Sequence, residues 1–173
     1  MARIKTALIS VYDKTGLVEL AKLLHRFNVE IISSGGTAEL LKKNKVPVTL
    51  VSDFTGQEEM MDGRVKTLHP KIHAGILAKN SKEHLDQLKK IGGKTIDLIV
   101  VNLYPFKETI QKTKDEQKII EEIDIGGPSL LRAGAKNFER VTVICSPLQY
   151  EELSKELISE NGVVSNKSRH KFA

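Results

Sequence analysis

The chain has 173 residues, 40% of them hydrophobic, and carries 27 Lys and Arg against 22 Asp and Glu, for a net charge of +5 and a pI near 9.2. That length and apolar content suit one domain with its own core, residues 1–173, and leave no room for a second full one. The basic residues are spread over the whole length and are accompanied by only three Tyr, five Phe and no Trp, which favours a small anionic ligand over a polyanion stacked on aromatic side chains.

Apolar runs and helical periods alternate from the start. "TALISVY" (Thr6 to Tyr12) reads as a buried strand, and Thr15 to Phe27 places Leu17, Leu20, Ala21 and Leu24 on one helix face. "VEIISS" predicts a second strand, "GGTAELLKKN" a second helix that starts immediately after its two glycines, and "PVTLVSD" a third strand. "SKEHLDQLKKIGG" is an amphipathic helix with Ser81 as N-cap, and "IDLIVVNLY" is the most strand-like run of all, expected at the centre of the sheet. "EQKIIEEI" and "GGPSLLRAGAKN" read as helices, "VTVIC" as a fifth strand ending in a buried, inert Cys145, and "PLQYEELSKELISENG" as a closing helix stopped by Gly162. The alternation predicts an α/β domain: a single doubly wound, mainly parallel five-stranded sheet with helices on both faces.

The apolar run before Asp13 is too short for a secretion signal, no segment approaches the length of a membrane span, and a lone cysteine cannot form an internal disulfide, so a cytoplasmic protein is expected. His69 and His73 stand four apart without the intervening Glu of a metalloprotease helix, and no Cys/His cluster has zinc spacing, so no metal site is expected.

In an open parallel sheet the ligand lies beyond the carboxyl ends of the strands. After the first strand "SVYDKTG" sets Ser10, Tyr12 and Lys14 at alternate positions, able to point one way, although for this segment alone a turn opened by Asp13 and Lys14 and capped by Thr15 is the favoured reading. After the second, "SSGGT" offers backbone N–H groups at a helix start with hydroxyls from Ser34 and Thr37; Gly36 has no side chain to block an anion, and a plain strand-to-helix turn capped by Thr37 is the competing reading. The spacing is neither a Walker A loop nor a dinucleotide fingerprint. "GRVKTLHP" adds Arg64, Lys66 and Thr67, which brings enough charge-assisted donors for a phosphate. "NLYPF" leaves the fourth strand with Asn102 and Tyr104. "IDIGGPSLLRAGAKN" carries Asp124, an N-cap by its position, then Gly126 and Gly127, then Arg132 and Lys136 flanking a small apolar surface that should partly cover them.

Taken in order, "ISVYDKTG", "SSGGTA", "MMDGRVKTLHPKIHAGIL", "DLIVVNLYPF" and "IDIGGPSLLRAGAKN" closely resemble the IMP cyclohydrolase domains of the bifunctional AICAR transformylase/IMP cyclohydrolase family, over nearly the whole chain. The resemblance implies a methylglyoxal synthase-like fold, a homodimer, fusion to a transformylase domain, and dehydrative ring closure of 5-formamidoimidazole-4-carboxamide ribotide (FAICAR) to IMP without metal or redox cofactor. It implies that Ser10, Lys14, Ser34, Gly36, Thr37, Arg64 and Thr67 bind the phosphate and ribose. Lys66, Asn102, Tyr104, Asp124, Gly126, Gly127 and Lys136 would surround the base, with Lys66, Tyr104, Asp124 and Lys136 catalytic and Asp124 paired with Lys136.

Three positions depart from the family pattern. Tyr12 stands where a small hydroxyl residue is common, "TGQEEMMDG" lacks the usual Phe-Pro, and Gly134 replaces an Ala, softening a helix by about 1 kcal/mol. "SRHKFA" resembles only the start of a longer helix, so the segment 164–173 is expected to be a truncated helix that frays, with the transformylase half absent. Two other readings remain open: a non-catalytic nucleotide- or phosphate-sensing module on the same fold, and a basic RNA-binding α/β domain whose binding would fall steeply with salt.

Overall fold

The computed structural model describes residues 2–173. Its strands are β1 (Ala2–Arg3), β2 (Thr6–Val11), β3 (Glu30–Ser33), β4 (Thr49–Leu50), β5 (Leu98–Asn102), β6 (Thr142–Ile144) and β7 (Val163–Val164). The helices are α1 (Leu17–Arg26), α2 (Gly35–Lys43), α3 (Val51–Thr55), α4 (Pro70–Leu77), α5 (Lys82–Lys90), α6 (Phe106–Lys112), α7 (Glu116–Glu121), α8 (Gly126–Lys136), α9 (Tyr150–Ser159) and α10 (Asn166–Phe172). Five strands form one parallel sheet in the order β4-β3-β2-β5-β6, and β1 pairs antiparallel with β7 beside it.

Two-residue periodicity sorts the side chains to two cores. Ala7, Ile9 and Val11 of β2 join Leu17, Leu20 and Leu24 of α1 and Leu153 and Leu157 of α9. Leu8 of the same strand faces the other way, into Ile72 and Ile76 of α4 and Leu130 and Ala133 of α8. Helices therefore cover both faces, which is why residues 7–9 of β2 and 98–101 of β5 are unbroken apolar runs. Gly134 has a packing reason beyond helix propensity: a Cβ there would collide with Ile99 and come within 2.8 Å of Val143 Cγ2, so the glycine lets α8 lie directly on β5 and β6.

At the amino ends of the strands, the Arg140 guanidinium is spent entirely on the protein. Its Nε donates to Ala78 O, one terminal nitrogen to Ile96 O and Asp97 Oδ1, and the other to Gly75 O and Ile76 O, at 2.6–3.1 Å. Asp97 Oδ2 accepts the Lys5 and Thr6 backbone N–H groups. One ion pair thus ties β2, α4, β5 and the entry to β6. Burial pulls the Arg140 pKa down, and Asp97 opposes that shift.

Several expectations need correction. The third strand is only Thr49–Leu50: an edge strand with two register partners on β3, it turns at once into α3, where Val51 and Thr55 are buried. The middle strand is β2, with β5 the next interior one. Cys145 is exposed, because β6 ends at Ile144 and the Cys145 N–H leaves the ladder to bond Gln149 Oε1. The closing segment begins with a 3-10 turn and its helix ends at Ser159. The last helix is docked rather than frayed: Phe172 is buried in the core, and Arg169 donates to the carbonyls of Phe138, Glu139 and Val164. Two helices, α4 and α6, form in segments without a clear helical period.

Candidate functional site

From β2 the chain steps outward through β3 to β4, then crosses to the other side of β2 for β5 and β6. The order reverses between β2 and β5, and loops leaving the two strands diverge there to open a crevice. A cavity of about 750 Å³ occupies it, lined by the segments that follow β2, β3 and β5, by the 62–68 segment and by the 120–127 segment that leads into α8. Ser10, Tyr12, Lys14, Ser34, Gly36, Thr37, Arg64, Lys66, Thr67, Asn102, Tyr104, Asp124, Gly126 and Gly127 all line it.

Lys136 does not. It ends α8, whose first residue is Gly126, and ten residues of helix separate the two by about 15 Å. Asp124 and Lys136 therefore sit at opposite ends of one helix and cannot pair within the chain. Arg132 and Lys136 are both exposed rather than partly covered.

The first turn of α2 forms one wall. Ser34 is its N-cap in extended backbone and makes no side-chain cap bond, so its hydroxyl and the following N–H groups face the cavity. The Lys66 ammonium lies 3.7 Å from where a Cβ of Gly35 would stand, and Lys14 Cε lies 4.0 Å from that point at Gly36. Thr37 is not the cap. Its buried hydroxyl donates to Val11 O at 3.1 Å and accepts from Val11 N, tying α2 to the end of β2. Nor does Thr15 cap α1, whose N-cap is Gly16; Asp13 Oδ1 instead accepts the Thr15 N–H, and bonds from the Thr15 hydroxyl and N–H hold the Asp13 carboxyl below its usual pKa.

Lys66 and Arg64 ride on a tight reverse turn. Met60 and Val65 exchange backbone hydrogen bonds around it, with Met61 and Asp62 in the left-handed region. Gly63 has φ +85°, which favours glycine; a Cβ there would be 2.7 Å from Lys66 Cε, a contact the end of that flexible side chain could relieve by shifting. Each cation meets a carboxylate: Lys66 Nζ lies 3.0 Å from Glu59, and Arg64 pairs with Glu121 at the end of α7, which raises the arginine's pKa. Sequence reasoning missed both acids, since nothing local marks a glutamate 57 residues away as a partner for Arg64.

Asp124 is not the N-cap of α8, which is Ile125, but it stands one residue before it and its Oδ1 accepts the Gly127 N–H of the first turn at 2.8 Å. A Cβ at Gly127 would collide with that carboxylate and stand 2.7 Å from Leu103, and one at Gly126 would stand 2.7 Å from the Thr67 hydroxyl. Asn102 is a clamp between strand ends: its Oδ1 accepts the Tyr12 and Asp13 N–H groups at 2.7 and 2.8 Å, and its Nδ2 donates to Asp13 O at 2.9 Å. Above it the rings of Tyr12 and Tyr104 meet at 5.3 Å. Among the described residues no group of three or more His, Cys, Asp and Glu is placed to hold a metal, and no helix is long and apolar enough to cross a membrane.

Comparison with known proteins adds the relatives. Bifunctional purine biosynthesis protein PurH of Ruminiclostridium cellulolyticum is 52% identical over 172 residues, 98% of this chain and 33% of that protein. PurH of Caldicellulosiruptor bescii is 54% identical over 173 residues (98% and 33%), and that of Trichormus variabilis 52% over 176 (100% and 34%). The chain thus spans about a third of the length of these curated relatives. The crystal structure of ForH superposes with a TM-score of 0.86 at 31% identity, covering 98% of this chain and 89% of that one. Residues 16–129 match the MGS-like domain family, and the chain belongs to it.

Proposed function

We propose that this chain is an IMP cyclohydrolase, closing FAICAR to IMP in purine biosynthesis. The observation that carries the proposal is the convergence of Lys66, Tyr104 and Asp124 on one cavity whose far wall is the open first turn of α2. Identity of 52–54% to proteins named for purine biosynthesis supports it.

The 5′-phosphate sits at the α2 N-terminus, where Ser34, the Gly35 and Gly36 N–H groups and Lys14 supply donors and the helix supplies partial positive charge. Arg64 joins them by exchanging Glu121 for the phosphate. In the reaction the carboxamide nitrogen bonds to the formyl carbon, one of its protons is transferred to the formyl oxygen, and that oxygen leaves as water with a proton from the former formamido nitrogen. An amide nitrogen is a poor nucleophile, so orientation and polarisation matter most. Lys66 and Tyr104 donate to the formyl oxygen. Asp124 accepts from the amide through Oδ2, its other oxygen being held by Gly127. Lys136 takes no part within one chain.

The same reading includes a cytoplasmic homodimer. Neither α6 nor α7 buries a side chain, which leaves Phe106 and Ile110 of α6 exposed for a second copy. The test is purified chain mixed with FAICAR, with purine formation followed by absorbance. Turnover supports the enzyme; tight IMP binding without turnover would favour a sensor on this fold instead.

A further inference from the structure

Tyr104 carries a reacting hydroxyl in the proposed site, yet little holds it. It follows β5 in a stretch without regular structure, it is 51% exposed, and among the described residues none hydrogen-bonds its hydroxyl. The helix after it, α6, buries nothing, so no core packing reaches Tyr104 from that side. What does touch it is Tyr12, whose ring centroid lies 5.3 Å away with the planes tilted by 59°, a favourable geometry for an aromatic pair.

Tyr12 in turn is held through its backbone. Its N–H and that of Asp13 both donate to Asn102 Oδ1, and Asn102 Nδ2 returns a bond to Asp13 O. Lys14 Nζ donates to the Tyr12 carbonyl at 3.2 Å. The main chain at Tyr12 is thereby fixed to the end of β5, two residues before Tyr104, and the phenol ring is the piece that spans the crevice between the strands.

From this we infer that Tyr12 is a positioning residue for Tyr104: its ring sets the Tyr104 rotamer and so aims the hydroxyl into the cavity. The inference rests on the proposed cyclohydrolase reading for its kinetic consequence, but its structural content stands apart from it. It also gives a role to the residue that departs from the family pattern, with a ring standing where a small hydroxyl side chain is common.

Two measurements test it. With ring-labelled tyrosine, only three tyrosines contribute NMR signals, and Tyr104 is assigned by Tyr104→Phe. Tyr12→Ala lowers the order parameter of the Tyr104 ring, and Tyr12→Phe, which keeps the ring, recovers it. In steady-state kinetics with FAICAR, Tyr12→Ala lowers kcat roughly threefold to tenfold while KM moves less, and Tyr12→Phe recovers most of that loss. An unchanged Tyr104 ring order in Tyr12→Ala overturns the inference. So does a rise in KM alone, which makes Tyr12 a direct binding group. If the unsubstituted chain does not turn FAICAR over, the cyclohydrolase reading fails, and the ring-order measurement alone decides the positioning role.

Discussion

The two ends of one sheet use charge in opposite ways. At the amino ends, the Arg140–Asp97 pair is 5% and 12% exposed, and the guanidinium bonds four backbone carbonyls besides the carboxylate. At the carboxyl ends, the Arg64–Glu121 pair is 63% and 55% exposed and joins a turn to a helix that buries nothing. A saturated, buried ion pair fixes geometry; an exposed one is easily exchanged for another anion. Rigidity is concentrated at the end away from the ligand, and cations that a ligand can recruit are gathered at the other.

The contrast breaks first at Arg140. Arg140→Ala leaves Asp97 without its cationic partner and several carbonyls unpaired, and should cost about 3–5 kcal/mol in urea unfolding. A loss below about 1 kcal/mol would mean that the amino end is no stiffer than the other. Lys66→Ala should do the reverse, with kcat down about a hundredfold, KM less affected and the urea midpoint nearly unmoved. Equal kcat with a raised KM would make Lys66 a phosphate anchor.

Gly134→Ala separates packing from propensity. The helix gains about 1 kcal/mol from alanine, but the added methyl meets Ile99 and Val143, and overpacking costs about 1–3 kcal/mol. Net destabilisation is expected, and pairing it with Ile99→Val should recover stability, as thermal melts of the two variants would show. Glu121→Gln frees Arg64 and should tighten IMP binding about twofold to fivefold at low salt, an advantage that fades as ionic strength rises.

The smallest effect is alkaline. Tyr150 packs against Gly16; burial, with a contribution from Asp13, pushes its pKa up to about 12, and its hydroxyl finds no partner among the described residues. The unfolded phenol ionises near 10, so between pH 10 and 12 the unfolded state releases its proton first and stability falls with rising pH. Below pH 10 that contribution is fully present. Tyr150→Phe should leave stability at neutral pH unchanged or higher and flatten this alkaline limb in pH-dependent melts.

What the sequence reveals follows from how local the cause is. β2 and β5 are legible because burial on both faces demands unbroken apolar runs, and the glycine turns after β2 and β3 are legible because few residues tolerate them. β4 is not, since "PVTLVSD" has strand composition but only an edge position that pairs Thr49 and Leu50. Asn102 and Thr37 read as ligand donors from their type, whereas their hydrogen bonds go mainly to the protein backbone, a fact set by tertiary contacts. The same distance hides Glu121 from Arg64. The separation of Lys136 from Asp124 is legible by contrast, because the helix read over "GGPSLLRAGAKN" already puts the two residues at its opposite ends.

The turn under Lys66 has a consequence for engineering. Met61 and Asp62 both adopt φ 55°, a left-handed backbone that Asn and Gly take up at less cost, and a side-chain-bearing Met there stores strain. Writing Asn-Gly at these two positions would relax the hairpin that delivers the lysine. Such a chain would present its ammonium from a quieter loop, at the expense of the give that the proposed exchange of glutamates for an incoming nucleotide would draw on.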